Sequence, residues 1–462
     1  MYRKEYTETI FRTGSHTSRK SSVKQHEMAA LREMEQMILA AEAVPAGAEA
    51  LERATAHLEQ FLQQVRQKRI LDEKQRAMEA FRQQFENGYT WRNGFLRNVA
   101  RFGDREALIE PESGTVWTYT QLNAEANRFS HALLRAGLQK GDVVMVQLHN
   151  CPEFVFAYLA CHKTGMVFCP VNFRLSAKEI TDCMDNSRPK VFLLEPETQA
   201  EVDMALRRTA HAPQILLTTD ARAAHAYAGF TADCPATEPE LPWELSVYDE
   251  TLRLFTSGTT GRQKSVCLTS INEVLSAHDV MIHFPFSFTD RSMNTTPWFH
   301  RGGLHSGGIT PTLYAGGTVI IQRKFQPEKT LDMVQQYGLT FLIGVPNVLE
   351  LLAEAQQKQP RDLSSLRGIV TMGSPLERAD CIRYQKILTK RIFNGYGTTE
   401  TFWNTFLRPD DLPEMAGSAG RSCVDDDVRV IKVYEDRVAE PDDLAATDGN
   451  EVGEVIIRSN AK

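Results

Sequence analysis

Residues 254–264 read Leu-Phe-Thr-Ser-Gly-Thr-Thr-Gly-Arg-Gln-Lys and combine three kinds of group suited to one task. A short apolar run (Leu252, Leu254, Phe255) reads as a strand end. Behind it, Gly258 and Gly261 let the backbone turn so that several N–H groups converge on one anion. Thr256, Ser257, Thr259 and Thr260 offer hydroxyl donors, and Lys264 adds a mobile positive charge. This is chemistry for a polyphosphate. The spacing is not that of the Walker loop, because the lysine follows the second glycine by three residues and no helix clearly opens there. Taken alone, such a cluster between strands is more often an ordinary surface turn.

Three further stretches bear on that choice: Pro297-Trp298-Phe299-His300-Arg301-Gly302-Gly303, Asn394-Gly395-Tyr396-Gly397-Thr398-Thr399-Glu400, and Gly453-Glu454-Val455-Ile456-Ile457-Arg458. Together with residues 256–266, and in this order, they resemble the motifs of the adenylate-forming superfamily of acyl-CoA synthetases, adenylation domains and luciferases. That family usually ends its phosphate loop on proline, lysine and glycine, where this chain has Gln263, Lys264 and Ser265. The charge is kept and the backbone restraint of proline is not. The resemblance covers about residues 90–462 and leaves the first 85 or so unexplained.

The resemblance implies a division of labour. Thr256, Ser257, Gly258, Thr259, Thr260, Gly261 and Lys264 would grip the outer phosphates of ATP, Thr399 would contact the α-phosphate, and Glu400 would hold Mg²⁺. Tyr396, between Gly395 and Gly397, would stack on adenine, with Gly373, Ser374 and Pro375 forming the other wall and Asn394 and Thr398 flanking. His300, at the start of a helix running toward Leu313, would lie at the carboxylate end of an acyl pocket made apolar by Trp298, Phe299, Val345 and Val348, with Gly344 at its turn. Plainer alternatives stay open for each: Tyr396 as a core aromatic, Glu400 as a surface or helix-start carboxylate, His300 or the nearby His305 as a structural histidine.

Composition bounds the remainder. At 462 residues, 42% hydrophobic and 24% charged, the chain is an ordinary globular sequence of two or three units. A net charge of −7 provides no general attraction to nucleic acid or to an anionic membrane, so a polyanion must be bound locally. The eight cysteines are scattered without a Cys-x-x-Cys pair, which reads as reduced core thiols in a cytoplasmic chain and not as a disulfide frame or zinc site. No apolar run reaches membrane-spanning length, and no secretory signal is evident.

Residues 1–22 read as a frayed tail. Over 23–86, apolar residues recur at threes and fours (Met28, Leu31, Met34, Ile38, then Leu51, Leu58, Phe61, Val65), broken at Val44-Pro45-Ala46-Gly47 and slipping phase near Ile70 and Leu71. That predicts a helical hairpin, whose apolar stripe packs on the main body or on a second copy as a homodimer. Over 87–462, helices (118–136, 152–163, 176–186, 270–283, 327–337, 346–356) alternate with apolar strands (143–148, 167–171, 191–194, 215–218, 318–322, 339–343, 368–372). The expectation is α/β: two doubly wound subdomains with ligands at the carboxyl ends of their strands. From about 416 to 462, segments 428–433 and 452–458 read as antiparallel strands, where the family has a small barrel-like subdomain.

The activity so implied is ATP-dependent activation of a small-molecule carboxylic acid, as acyl-adenylate and then as a thioester of coenzyme A. Loading of a carrier protein and a nucleotide-binding scaffold without catalysis are the alternatives. The resembling enzymes continue past the 453–458 stretch with a ribose-binding aspartate, a hinge and a small domain carrying a catalytic lysine. None of these can be assigned here, so that C-terminal small domain is expected to be absent and the chain alone to turn over slowly.

Overall fold

The computed structural model describes residues 47–257 and 263–459. The chain divides into two compact units at Arg82 and Gln83. In the first, one helix runs over Gly47–Phe81. The tail and the first arm of the expected hairpin lie outside the described residues. Ile70, Leu71 and Met78 are more than half exposed. At 100° per residue Leu71 and Met78 lie about 20° apart with Ile70 about 80–100° from them, whereas Phe61 and Val65, about 40° apart, centre roughly 140° away. The helix thus carries two short apolar faces, which is what the phase slip near Ile70 means.

The second unit holds two large sheets and a small one. Its strands are β1 (Glu106–Glu110), β2 (Thr115–Thr118), β3 (Val143–Gln147), β4 (Val167–Pro170), β5 (Val191–Leu194), β6 (Ile215–Thr218), β7 (Glu250–Ser257), β8 (Gln263–Thr269), β9 (Arg291–Asn294), β10 (Thr318–Ile320), β11 (Phe341–Gly344), β12 (Gly368–Met372), β13 (Ile392–Thr398), β14 (Phe402–Leu407), β15 (Arg421–Ser422), β16 (Asp426–Lys432) and β17 (Gly453–Ser459). One sheet has the order β6-β5-β3-β4-β7-β8 and the other β15-β14-β13-β12-β11-β9-β10-β1-β2. β3, β4, β5, β11 and β12 are buried along their whole length, as strands covered on both faces must be. Antiparallel strands sit at the margins: β8 on β7, β2 on β1, β14 on β13 and β15 on β14. The region from 416 contributes the two-stranded antiparallel sheet of β16 and β17.

The crossover helices start and stop on recognisable signals. Thr118 with Gln121, and Ser176 with Glu179, form reciprocal capping boxes for Tyr119–Arg135 and Ala177–Ser187. Pro152, Pro327 and Pro346 occupy the first helical turn of Pro152–Thr164, Pro327–Tyr337 and Pro346–Lys358. Gly165 and Gly338 end the first two of these in the left-handed conformation. The 234–245 connection is pinned by Glu238, which takes the Lys163 ammonium at 2.7 and 2.8 Å. Burial lowers the Lys163 pKa to about 8 against the opposing pull of Glu238.

The expected helix from His300 to Leu313 is two helices, Arg301–His305 and Ile309–Ala315. They are separated by Ser306-Gly307-Gly308, with Gly307 at φ +70°. A Cβ on Gly303 would overlap the Pro297 carbonyl and one on Gly308 the Gly303 carbonyl. These glycines therefore serve close backbone packing.

Glycine is also obligatory where β13 meets β14. A Cβ on Gly397 would overlap the Phe402 carbonyl oxygen, and one on Gly395 would fall 2.8 Å from Trp403 Nε1. Gly397→Ala should therefore destabilise the chain by about 1–3 kcal/mol or more through overpacking. Gly229→Ala, with nothing within 4 Å of the added Cβ inside the helix Tyr227–Thr231, should be neutral or stabilising by a few tenths to about 1 kcal/mol. Denaturant midpoints of the two variants check this contrast.

Candidate active site

The hydroxyl- and glycine-rich stretch is the tip of the β7–β8 hairpin. Leu252 pairs with Leu268 and Leu254 with Val266, and this face of the ladder enters the core. The same face continues to Thr256 opposite Lys264, the first half-buried and the second exposed. An apolar ladder that turns polar at its last pair thus presents a hydroxyl and an ammonium side by side. Ser257 pairs with Gln263, and Gly258, Thr259, Thr260 and Gly261 lie outside the described residues.

The other motif residues gather at the carboxyl ends of parallel strands in the nine-stranded sheet. β9 ends at Asn294 beside Ile343 of β11, Gly344 lies beside Thr371 of β12, and Met372 lies beside Gly395 of β13. The segments that leave those ends are 295–300, 345–348, Gly373-Ser374-Pro375 and the 396–400 turn. Ligands of α/β proteins collect at such a crevice. Gly373 has φ +82°, a conformation that side chains rarely adopt.

His300 caps the helix Arg301–His305 from an extended backbone conformation. Its ring lies 4.1 Å from that of Phe299, which meets Phe173 edge-on at 5.5 Å. Phe173 in turn stacks on His149 at 3.8 Å. His300 is solvent-exposed. Desolvation, with the Arg174 charge second, holds its pKa below the ordinary value. Val345 and Val348 are half-buried just past the end of β11, Val348 packed in part on the core. Trp298 is not: at 1% exposure it packs on Phe154 at 5.6 Å, inside the core.

Tyr396 is 39% exposed and Glu400 is exposed. The room beside Gly395 and Gly397 is filled by Trp403 and the Phe402 backbone, so these glycines accommodate β14. The ladder shifts register between Tyr396 and Gly397, leaving Asn404 as the extra residue on β14. Asn404 accepts from Thr401 Oγ1 at 2.6 Å and donates to Asp426 Oδ2 at 3.2 Å, fixing the far end of the turn. Asn394 is buried at the base of the same strand end.

Several residues that organise the site have no sequence signal. Asn294 donates to the carbonyls of Gly302, Gly303 and Ser306. Asn150, just past β3, bonds the backbone of Thr296 and Trp298 and so ties the first sheet to the His300 loop. Glu273 is fully buried. It accepts from Tyr158 Oη at 2.6 Å and Thr310 Oγ1 at 3.3 Å, and it faces His305 Nε2 at 2.6 Å. Burial would raise its pKa. The charge of His305, its contact at 2.6 Å and the charge of His162 at 3.7 Å outweigh that and hold it well below the carboxylate range. Arg301, also buried, has its pKa lowered to about 10 by desolvation, with Glu273, Asp279 and Glu400 opposing the fall.

Two places offer metal-ligand atoms. Asp279, His283 and Cys423 lie close together in the interior. Arg408 Nη2, however, faces His283 Nδ1 at 2.6 Å, and a guanidinium only donates. Nδ1 therefore keeps its lone pair while Nε2, 3.0 Å from Asp279 Oδ1, carries the proton and has none to give a cation. Glu400 is the better fit, since one exposed carboxylate beside phosphate oxygens is the donor set that Mg²⁺ prefers.

Two measurements follow from these protonation states. The His300 ring, assigned by loss of its signal in His300→Asn, should titrate below 6.5 by NMR; a value above 7 would mean that a carboxylate and not desolvation governs it. Glu273→Gln should cost about 3–5 kcal/mol at pH 7 by leaving its histidine partners uncompensated. Because the folded pKa is depressed, the carboxylate's contribution is complete above 4.5, the ordinary value, and is lost as pH falls further. The gap between variant and parent in urea midpoint should accordingly narrow below about pH 4.5.

Comparison with known proteins matches this geometry. The family model described as AMP-binding enzyme matches residues 95–461. An indoleacetate–CoA ligase of Aromatoleum aromaticum is 31% identical over 337 residues, 71% of this chain and 65% of its own length. A fatty acid–[acyl-carrier-protein] ligase, ScoC, of Streptomyces coeruleorubidus is 30% identical over 293 residues, 62% of this chain and 54% of its own. The crystal structure of the N-terminal domain of FACL13 from Mycobacterium tuberculosis superposes with a TM-score of 0.69 at 25% identity, over 80% of this chain and 89% of that one. The chain thus spans under two thirds of the length of the two ligases. With a family model covering most of its length, the chain is a member of the AMP-binding enzyme family.

Proposed function

We propose that this chain joins ATP and a carboxylic acid as an acyl-adenylate and passes the acyl group to the thiol of coenzyme A. The observation that carries the proposal is the convergence of His300, Val345, Gly373 and the 396–400 turn at adjacent carboxyl strand ends. In this reading a carboxylate oxygen attacks the α-phosphorus and pyrophosphate leaves. Lys264 and Thr256 hold the outer phosphates, Thr399 the α-phosphate, and Tyr396 stacks on adenine against Gly373-Ser374-Pro375. His300, neutral near pH 7, orients the acid by hydrogen bonding without fixing it as an ion pair. Glu400 would hold Mg²⁺, which when bound neutralises charge on the phosphate oxygens.

The CoA-ligase relative supports coenzyme A as the thiol, and the carrier-protein ligase supports a carrier as the alternative. Val345 and Val348 favour an acid with an apolar body. The free and mostly buried cysteines favour the cytoplasm. The exposed face of Ile70, Leu71 and Met78 favours pairing with a second copy. Deleting residues 1–82 should then lower the mass seen by light scattering while residues 83–462 remain folded; an unchanged mass refutes the pairing.

Lys264→Ala tests the nucleotide assignment. Calorimetric titration should show MgATP weakened by about tenfold or more, and AMP, which lacks the outer phosphates, by much less. Equal losses for both nucleotides would place the lysine elsewhere.

A further inference from the structure

Arg301 follows His300 directly, yet its side chain leaves the acyl side and runs to the turn between β13 and β14. Nη1 donates to the carbonyl oxygen of Thr399, and Nη2 to Ser276 Oγ at 3.3 Å. The guanidinium lies over the Phe402 ring, 5.2 Å from its centroid. Thr399 is on the incoming arm of the turn, Phe402 on the outgoing arm, and Glu400 between them. Phe402 has φ +59°, costly for a bulky aromatic residue and sustained only where neighbours over-determine it. Its ring is held by Arg301, by His305 edge-on at 5.7 Å and by Trp403 stacked at 4.7 Å. One buried cation therefore grips both arms of the turn that displays the exposed carboxylate.

We propose that Arg301 is a positioning residue for the nucleotide site, clamping the 398–402 turn so that Thr399 and Glu400 meet the α-phosphate and the divalent cation in one geometry. This rests on the ATP-binding reading above. The geometry calls for arginine specifically: a planar fork satisfies a carbonyl and a hydroxyl while its face covers an aromatic ring. An ammonium can make the first contact but not all three. Ser276, from the helix Ser270–His283, is the outer stop that aims the fork.

The test compares the full chain with Arg301→Lys, Arg301→Met and Ser276→Ala. MgATP binding is followed by calorimetry across a Mg²⁺ series, AMP binding without metal alongside, and thermal midpoints as the measure of folding. Arg301→Lys should lose about tenfold in MgATP affinity and need more Mg²⁺ for half-effect, with metal-free AMP changed less than about threefold. Ser276→Ala should fall between it and the parent. Should Arg301→Met fail to fold, the other two variants decide. A folded Arg301→Lys with the parent's MgATP affinity and Mg²⁺ requirement overturns the proposal. So do equal losses for AMP and MgATP that track the drop in thermal midpoint, since those report a structural role alone. If the unaltered chain binds no MgATP, the nucleotide reading itself fails and takes this assignment with it; binding that Arg301→Lys leaves intact sinks the assignment alone.

Discussion

A carboxylate with no access to water dictates much of what surrounds His300. Glu273 sits on the first turn of the helix Ser270–His283, and burying its charge without partners would cost several kcal/mol. Its partners come from three other helices: Tyr158 from Pro152–Thr164, His305 from Arg301–His305 and Thr310 from Ile309–Ala315. The helix bearing His305 has five residues, too few to be stable by itself. It exists because Glu273 holds its last residue, His305, and Asn294 collects the carbonyls of Gly302, Gly303 and Ser306 toward the same end. His300 caps that helix, so the position of its ring depends on charge compensation some distance beneath it.

The two large sheets meet the site differently. The six-stranded sheet contributes a hairpin tip, where polar residues succeed apolar ones on one face of β7 and β8. The nine-stranded sheet contributes a row of adjacent strand ends, and the segments leaving them, 295–300, 345–348, 373–375 and 396–400, start side by side. Asn150 bridges the two systems through backbone contacts to Thr296 and Trp298. A single amide thereby couples the end of β3 to the loop before His300.

Elements with one dominant signal were legible in the residues alone. β3, β5 and β12 are continuous apolar runs of strand length, and Pro152, Pro327 and Pro346 mark helix starts where helices begin. β9, reading Arg-Ser-Met-Asn, is central yet polar at three of its four positions and carries no periodic cue. β13 and β14 escaped because Asn-Gly-Tyr-Gly has the composition of a turn, although the chain is extended there. The Glu273 cluster was invisible for another reason. A glutamate 32 positions from its histidine and 115 from its tyrosine looks like any solvated helix residue until the fold closes around it. Trp298 misled by position, since an aromatic next to Phe299 and His300 suggests a pocket wall while tertiary packing turned it inward onto Phe154.

The glycines of the 394–400 stretch show how protein packing and ligand display become one requirement. Gly397 lacks a Cβ because the Phe402 carbonyl occupies that volume, and this close approach lets only three residues join Thr398 to Phe402. A turn so short forces Phe402 into positive φ and pushes the surplus residue, Asn404, into a bulge, where it is buried and bonded to Thr401 and Asp426. The local register shift falls next to Tyr396, an exposed residue one position past the Met372–Gly395 pair. A side chain at Gly397 would collide with the Phe402 carbonyl and disturb the pairing next to Tyr396. Close packing behind the strand is thus the condition for an open aromatic face in front of it, and the strain it stores is balanced by the buried arginine and asparagine that grip the turn from either side.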